Sequence, residues 1–196
     1  MAYNITLEGK NQVLAENLLR EIVTILDNSN ITYCLEGGTL LGIYRENRLL
    51  PWDSDLDLSI LEDELHKIDR LTTLLKEKKF RVRFRYFETS DVHFTKGNLR
   101  ILKIRKQQFF GLIKSPVCLE IFIKYKKDDH VFWKVSDKTM GAPFQFYKTI
   151  KNLLFQGQEY KIPGETEAYL THKYGDWKTP VKEWNAMANE GSIVSN

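Results

Sequence analysis

The stretch 36–60 constrains this chain more than any other. It opens with Glu36-Gly37-Gly38-Thr39-Leu40-Leu41-Gly42-Ile43-Tyr44-Arg45 and closes with Pro51-Trp52-Asp53-Ser54-Asp55-Leu56-Asp57-Leu58-Ser59-Ile60. A glycine pair leading from a strand into a short helix leaves backbone N–H groups free at the helix start. The helix dipole favours an anion there, a phosphate above all. The Asp-x-Asp that follows reads as a strand, and alternation puts Asp55, Asp57 and Ser59 on one face and Leu56, Leu58 and Ile60 on the other. The apolar face packs on a helix while the carboxylates look into a cleft. Two carboxylates held side by side repel, and a cation between them removes the repulsion. Hard oxygen ligands at this spacing suit Mg²⁺ or Mn²⁺, not zinc. Either half alone is weak, since Gly-Gly is usually a turn and Asp-x-Asp usually a solvated loop. Their succession within about twenty residues is far more specific.

A chain of 196 residues supports one domain with a substantial core. The expected division is a single domain over 1–184 and a flexible, polar C-terminal tail over 185–196. A hydrophobic share of 42% and a charged share of 28% are globular values. A net charge of +3 fits an anionic ligand without demanding nucleic acid. Residues 1–10 hold no apolar leader core and no run reaches the length of a membrane span, so a cytoplasmic protein is expected. Cys34 and Cys118 fall in predicted strands and read as buried thiols, and the histidines show no zinc spacing.

In chain order, residues 11–27 read as an amphipathic helix burying Val13, Leu14, Leu18, Ile22, Ile25 and Leu26. Residues 31–35 form a short strand and 39–44 a short helix, with Thr39 as its cap, as a ligand contact, or as both. Ser59 and Glu62 read as a capping box for a helix to Lys78, with Leu61, Leu65, Ile68, Leu71 and Leu75 as its buried stripe. Phe80–Tyr86 alternates cleanly, Phe80, Val82, Phe84 and Tyr86 against Arg81, Arg83 and Arg85. Such arginines usually form a solvated sheet face, and the other reading is a surface for an anionic donor or acceptor. Residues 92–95 and 100–105 continue an antiparallel meander, with Gly97-Asn98 as the turn. In the strand over 117–125, Cys118, Glu120, Phe122 and Lys124 share a face. A carboxylate inside so apolar a strand must be paired or metal-bound, so Glu120 is either a ligand or a core acid paired with a meander arginine. The aromatic residues of 131–160 read as core. A helix then runs to Lys173 and ends at Gly175, and Asp176 either touches ligand or staples the C-terminal segment, the latter reading being favoured.

Gly-Gly-Thr-Leu-Leu-Gly, Arg45 and Pro-Trp-Asp-Ser-Asp-Leu-Asp together resemble the LicD family, the phosphocholine transferases that include relatives of fukutin-related protein. That family is similar to the nucleotidyltransferase-fold superfamily. Tyr174-Gly175-Asp176-Trp177-Lys178-Thr179-Pro180 resembles its closing motif, and the likeness spans residues 31–180. The family's usual run after Pro-Trp is Asp-Asp-Asp-x-Asp. Ser54 stands at the second position here and leaves Asp55 and Asp57 intact. The resemblance implies an α/β fold, α+β in stricter usage: a nucleotidyltransferase-type mixed, mostly antiparallel sheet flanked by helices. It implies a third carboxylate on the strand beside Asp-x-Asp, where Glu120 fits although the family more often has Asp. It further implies an enzyme moving phosphocholine or a polyol phosphate from a CDP-linked donor to a carbohydrate hydroxyl. Asp55, Asp57 and Glu120 would be its catalytic ligands for Mg²⁺ or Mn²⁺, and Gly37, Gly38, Thr39 and Arg45 would cradle phosphate. Two alternatives stand beside this: transfer of NMP from an NTP to an alcohol or protein, and a nucleic-acid-binding module built on the arginine strand. The small excess charge and the lack of aromatics among the arginines speak against the second.

Overall fold

A computed structural model describes residues 4–108, 113–181 and 189–194. Helix α1 (Lys10–Asn28) buries Leu18, Leu19, Ile22, Val23, Ile25 and Leu26, which recur every three or four residues and so share a face. Val13, expected in that stripe, is 57% exposed, because the stripe is centred on Ala15, Leu19 and Val23. Strand β1 (Cys34–Leu35) is shorter than the expected 31–35. It leads into α2 (Gly37–Glu46) and then β2 (Leu56–Leu61).

After β2 comes a 3₁₀ helix (Glu62–Lys67), then α3 (Ile68–Glu77). The expected capping box does not form. Ser59 is still inside β2 and buried, while Glu62 accepts at 2.8 Å from the backbone N–H of Lys126. The rest of the sheet follows as β3 (Phe80–Tyr86), β4 (Leu99–Gln108), β5 (Ile113–Lys114), β6 (Leu119–Lys127), β7 (His130–Val135) and β8 (Lys138–Pro143). Residues 92–95 form a loop instead of the expected strand. The Asp91 carboxylate accepts from the N–H groups of His93 and Phe94, at 2.8 and 2.9 Å, and so takes the donors a ladder would need.

The sheet order is β1-β2-β6-β4-β3, with β5 on β4 and β7 joining β6 to β8. Strands β2 and β6 are parallel and every other pair is antiparallel, the mixed, mostly antiparallel sheet expected. Helix α4 (Gln145–Lys148), the antiparallel pair β9 (Ile150–Phe155) and β10 (Gln158–Pro163), and α5 (Thr166–Tyr174) complete the chain. One core cluster joins α1, α3 and the leucine face of β2 to Trp133, Phe146, Tyr147, Phe155 and Tyr160. Cys34 and Cys118 are buried free thiols. Among the described residues no helix is long and apolar enough to cross a membrane.

The tail expected over 185–196 lies partly outside the described residues. Residues 189–194 within it are docked, which corrects the expectation there: Gly141 N–H donates to Ser192 O and Val194 N–H to Thr139 O, and Glu190 and Ser192 are buried. The reason is an ion pair of Glu190, which belongs to the site.

Candidate active site

Glu36 leaves β1 in extended conformation and Gly37 turns the chain into α2 with φ of 54°. A side chain at Gly37 would be strained at that φ, and its Cβ would lie 2.6 Å from an Asp57 carboxylate oxygen. A Cβ at Gly38 would overlap the Asp53 carboxylate. The glycine pair therefore lets two carboxylates approach the positive end of α2. Thr39 is not the cap. It is buried, and its hydroxyl accepts at 2.9 Å from the backbone N–H of Asp57, which fixes β2 against α2. The residue at the cap is Glu36, whose carboxylate accepts from Gly37 N–H at 3.4 Å.

The parallel pairing of β2 with β6 places Asp57 in register with Glu120. Asp55, Asp57 and Glu120 each bring a carboxylate oxygen within 4.8 Å of the other two. Burial pushes the Asp55 carboxyl up to about 7, and repulsion from Asp53 and Glu120 adds to it. Burial, then Asp55, Asp53 and Glu120, raise Asp57 well above the carboxylate range. Burial also lifts Asp53 to about 6. Lys103 on β4 reaches Glu120 at 2.5 Å, a lysine of the meander in place of the expected arginine, and Arg100 on the same strand adds an electrostatic attraction to Glu120. The Lys103 side chain is 26% exposed, and although it also lowers Asp55 and Lys173 lowers Asp57, both carboxyls stay raised, so repulsion within the cluster outweighs these cations. Three clustered oxygen donors with excess negative charge fit a hard divalent cation.

A stability prediction follows. The folded-state pKa of Asp55 lies above its unfolded value of about 3.9. Between the two, the folded protein holds a proton that the unfolded chain has lost, so stability falls as pH rises from about 4 to about 7. In chelator, Asp55→Asn should therefore gain melting temperature over the wild type, and the gain should grow between pH 5 and pH 7.5. An equal difference at both pH values would contradict the burial of this charge.

The structure gives Arg45 a different task from the phosphate contact expected. Its guanidinium donates at 2.9 Å to Trp177 O and pairs at 2.5 Å with Glu46, with 9% of the side chain exposed. The rings of Tyr44 and Trp177 meet 5.7 Å apart. Arg45 thus clamps the closing motif onto α2. Asp176 is exposed and accepts from the Thr179 hydroxyl at 2.7 Å within its own turn. Gly175 closes α5 with φ of 66°.

Sequence reasoning missed Asp53 as part of the acid cluster, and it missed a buried ionic network behind α2. Glu36, 2% exposed, pairs with Lys124 at 2.6 Å and with Lys173 at 3.8 Å. Lys173 pairs with Glu190 at 2.5 Å. The Tyr147 hydroxyl contacts both Lys124 and Glu36. Burial pushes the Glu36 carboxyl up, but Lys124, Lys173 and hydrogen bonds including one from Ser59 hold it below its usual range. Burial draws Lys124 down to about 8 and Glu36 resists that, so both are charged at neutral pH. Burial also works against the charge on Lys173, yet Glu190, Tyr174 and Glu36 hold it above its ordinary value. One signal was present: Lys124 shares the face of an otherwise apolar strand with Glu120, and a lysine there needs an acid as much as Glu120 needs a base.

Residues 30–165 match the family model described as LicD/FKTN/FKRP, nucleotidyltransferase domain. The chain is 26% identical over 186 residues to the ribitol-5-phosphate transferase FKTN of Homo sapiens, covering 93% of this chain and 37% of that protein. It is 27% identical over 115 residues to the lipopolysaccharide cholinephosphotransferase LicD of Haemophilus influenzae, 58% of this chain and 43% of the relative. The chain thus spans little more than a third of FKTN. The crystal structure of ANT(2″)-Ia in complex with adenylyl-2″-tobramycin superposes with a TM-score of 0.47 at 12% identity, covering 87% of this chain and 81% of the other. With a family model matching most of its length, this chain belongs to the LicD/FKTN/FKRP nucleotidyltransferase domain family.

Proposed function

We propose that the domain transfers a phosphorylated alcohol, phosphocholine or a polyol phosphate, from a CDP-linked donor to a carbohydrate hydroxyl. Asp55, Asp57 and Glu120 would hold Mg²⁺ or Mn²⁺ for the reaction. The observation that carries the reading is the carboxylate trio, whose Asp57 lies against Gly37 at the start of α2, inside a family whose relatives are named for moving ribitol phosphate and choline phosphate. A cation held there would neutralise charge on the diphosphate and on the leaving CMP. The residues of the chain do the rest. The N–H groups at the start of α2 that Glu36 does not cap bind phosphate oxygens. Glu36 and Thr39 hold that helix end and β2 in fixed relation. The acceptor oxygen forms its bond to phosphorus as the bond to CMP breaks, and the hydroxyl proton passes to a carboxylate of the cluster.

Phosphorus NMR of a CDP-alcohol with a carbohydrate acceptor should show CMP and a new phosphodiester, while NTPs release no pyrophosphate. Pyrophosphate from an NTP with CDP-alcohols untouched would replace this reading with nucleotidyl transfer.

Glu120→Gln separates the roles open to that residue. The substitution removes repulsion on Asp55 and Asp57, which offsets the loss of the ion pair from the buried Glu120 to the partly exposed Lys103. The metal-free melting temperature should stay within about 4 °C of wild type, while the rise on adding Mg²⁺ shrinks. A clear loss of metal-free stability with an unchanged Mg²⁺ response would take Glu120 out of the site.

A further inference from the structure

The sheet face that carries the acids reverses its charge along a single row. Asp57 on β2 pairs in register with Glu120 on β6, Glu120 with Lys103 on β4, and Lys103 with Arg83 on β3. Directly paired residues share a face, so Arg83 stands on the same face as the carboxylates. Two pairs further along, on the same face, Arg81 faces Arg105, and two residues to the other side of Arg83 stands Arg85. With strands about 4.8 Å apart, three strand spacings put Arg83 about 14 Å from Asp57.

Arg81, Arg83 and Arg85 are exposed, and among the described residues they make no hydrogen bond or ion pair. Arg105 is held at the row's edge by bonds to the carbonyls of Ser115 and Pro116, at 3.1 and 3.0 Å. Guanidinium groups at alternate positions of one strand lie about 7 Å apart and repel. Nothing in the apolar packing asks for them, because Phe80, Val82 and Phe84 occupy the other face and pack on the core.

We propose that this basic strip of β3 and β4 is an acceptor subsite that recognises a phosphate or carboxylate group carried by the carbohydrate. The proposal rests on the transfer reading given above. The two phosphates of a CDP-linked donor are adjacent and belong at the carboxylate end, and its base and ribose carry no charge. A second anion at the far end of the row must therefore come from the other substrate. Arginine suits the task, since its fork matches phosphate and carboxylate oxygens in pairs.

The test reads binding without donor or metal. Fluorescein-labelled phosphorylated maltohexaose, an oligogalacturonate of the same length and neutral maltohexaose are titrated with the full chain, followed by anisotropy. At least one charged sugar should bind, less tightly as salt rises, and the neutral sugar should bind at least tenfold more weakly. The two charged probes distinguish phosphate from carboxylate. The triple variant Arg81→Gln/Arg83→Gln/Arg85→Gln should lose at least tenfold in affinity and Arg83→Gln alone about threefold. Lys76→Gln, an exposed lysine on α3, should change nothing. Unchanged melting temperatures show that the variants fold. Equal binding of the neutral sugar, or of the triple variant, overturns the subsite. So does tighter, arginine-dependent binding of a single-stranded oligonucleotide or of phosphatidylserine vesicles. Charged-sugar binding without CMP release in the transfer assay would refute the transfer reading and leave the anion site standing. CMP release with the same KM for neutral and charged acceptors would refute the subsite alone.

Discussion

Asp57→Asn reduces turnover at least about a thousandfold, some 4 kcal/mol of transition-state stabilisation, and leaves the metal-free protein as stable as wild type or more so. Asp57 is the acid at the centre of the cluster, in register with Glu120 and against Gly37. Asparagine keeps the shape and the backbone bond to Thr39 but removes one charge from a site that already resists ionisation. Losing activity while keeping stability is the mark of a group retained for chemistry rather than for folding. The rate of CMP formation and the melting temperature in chelator check both halves. Activity within threefold of wild type would end the catalytic assignment.

Glu36→Ala has the opposite character and destabilises the protein by about 3–5 kcal/mol, because it strands Lys124 without its acid partner at zero exposure. For a chain of this size that is a fall in melting temperature of about 6–20 °C. Lys173 keeps Glu190, so the loss is concentrated on Lys124, whose ammonium lies 3.8 Å above the Trp133 ring and 4.2 Å from the Tyr147 ring. Adding Lys124→Met to Glu36→Ala should recover a large part of the loss, since it removes the stranded buried charge while keeping the lysine's volume. A loss below about 1 kcal/mol in the single variant, or no recovery in the double, would show that the network does not bear on stability. The network also ties the docked segment 189–194 to the start of α2 through Glu190, Lys173 and Glu36.

What could be read from the sequence was what repeats with a short period. The alternation of 55–60 and of Phe80–Tyr86 matches β2 and β3, and the position of Glu120 beside Asp57 follows from strand order once a mixed sheet is assumed. Boundaries failed where side chains compete with the backbone. Asp91 turned an expected strand into a loop, and Ser59, a good cap by type, was drawn into β2 beside Glu36. Long-range side-chain pairs outside the sheet's own strand order were not legible. Nothing near Arg45 in the sequence points to Trp177, and nothing near Lys173 reveals Glu36 from 137 positions away. Thr39 shows the same limit: a hydroxyl at a helix start reads as a cap, but it binds a strand amide eighteen residues on.

Titration of the full chain with Mn²⁺, followed by the loss of the free-ion EPR signal, tests the central claim most directly: that Asp55, Asp57 and Glu120 form one divalent-cation site. Wild type should take up Mn²⁺ saturably and release it to Mg²⁺. Glu120→Gln should bind more weakly, and Asp57→Asn should bind none over the same range. Absence of saturable uptake by wild type, or equal uptake by Asp57→Asn, would contradict the account.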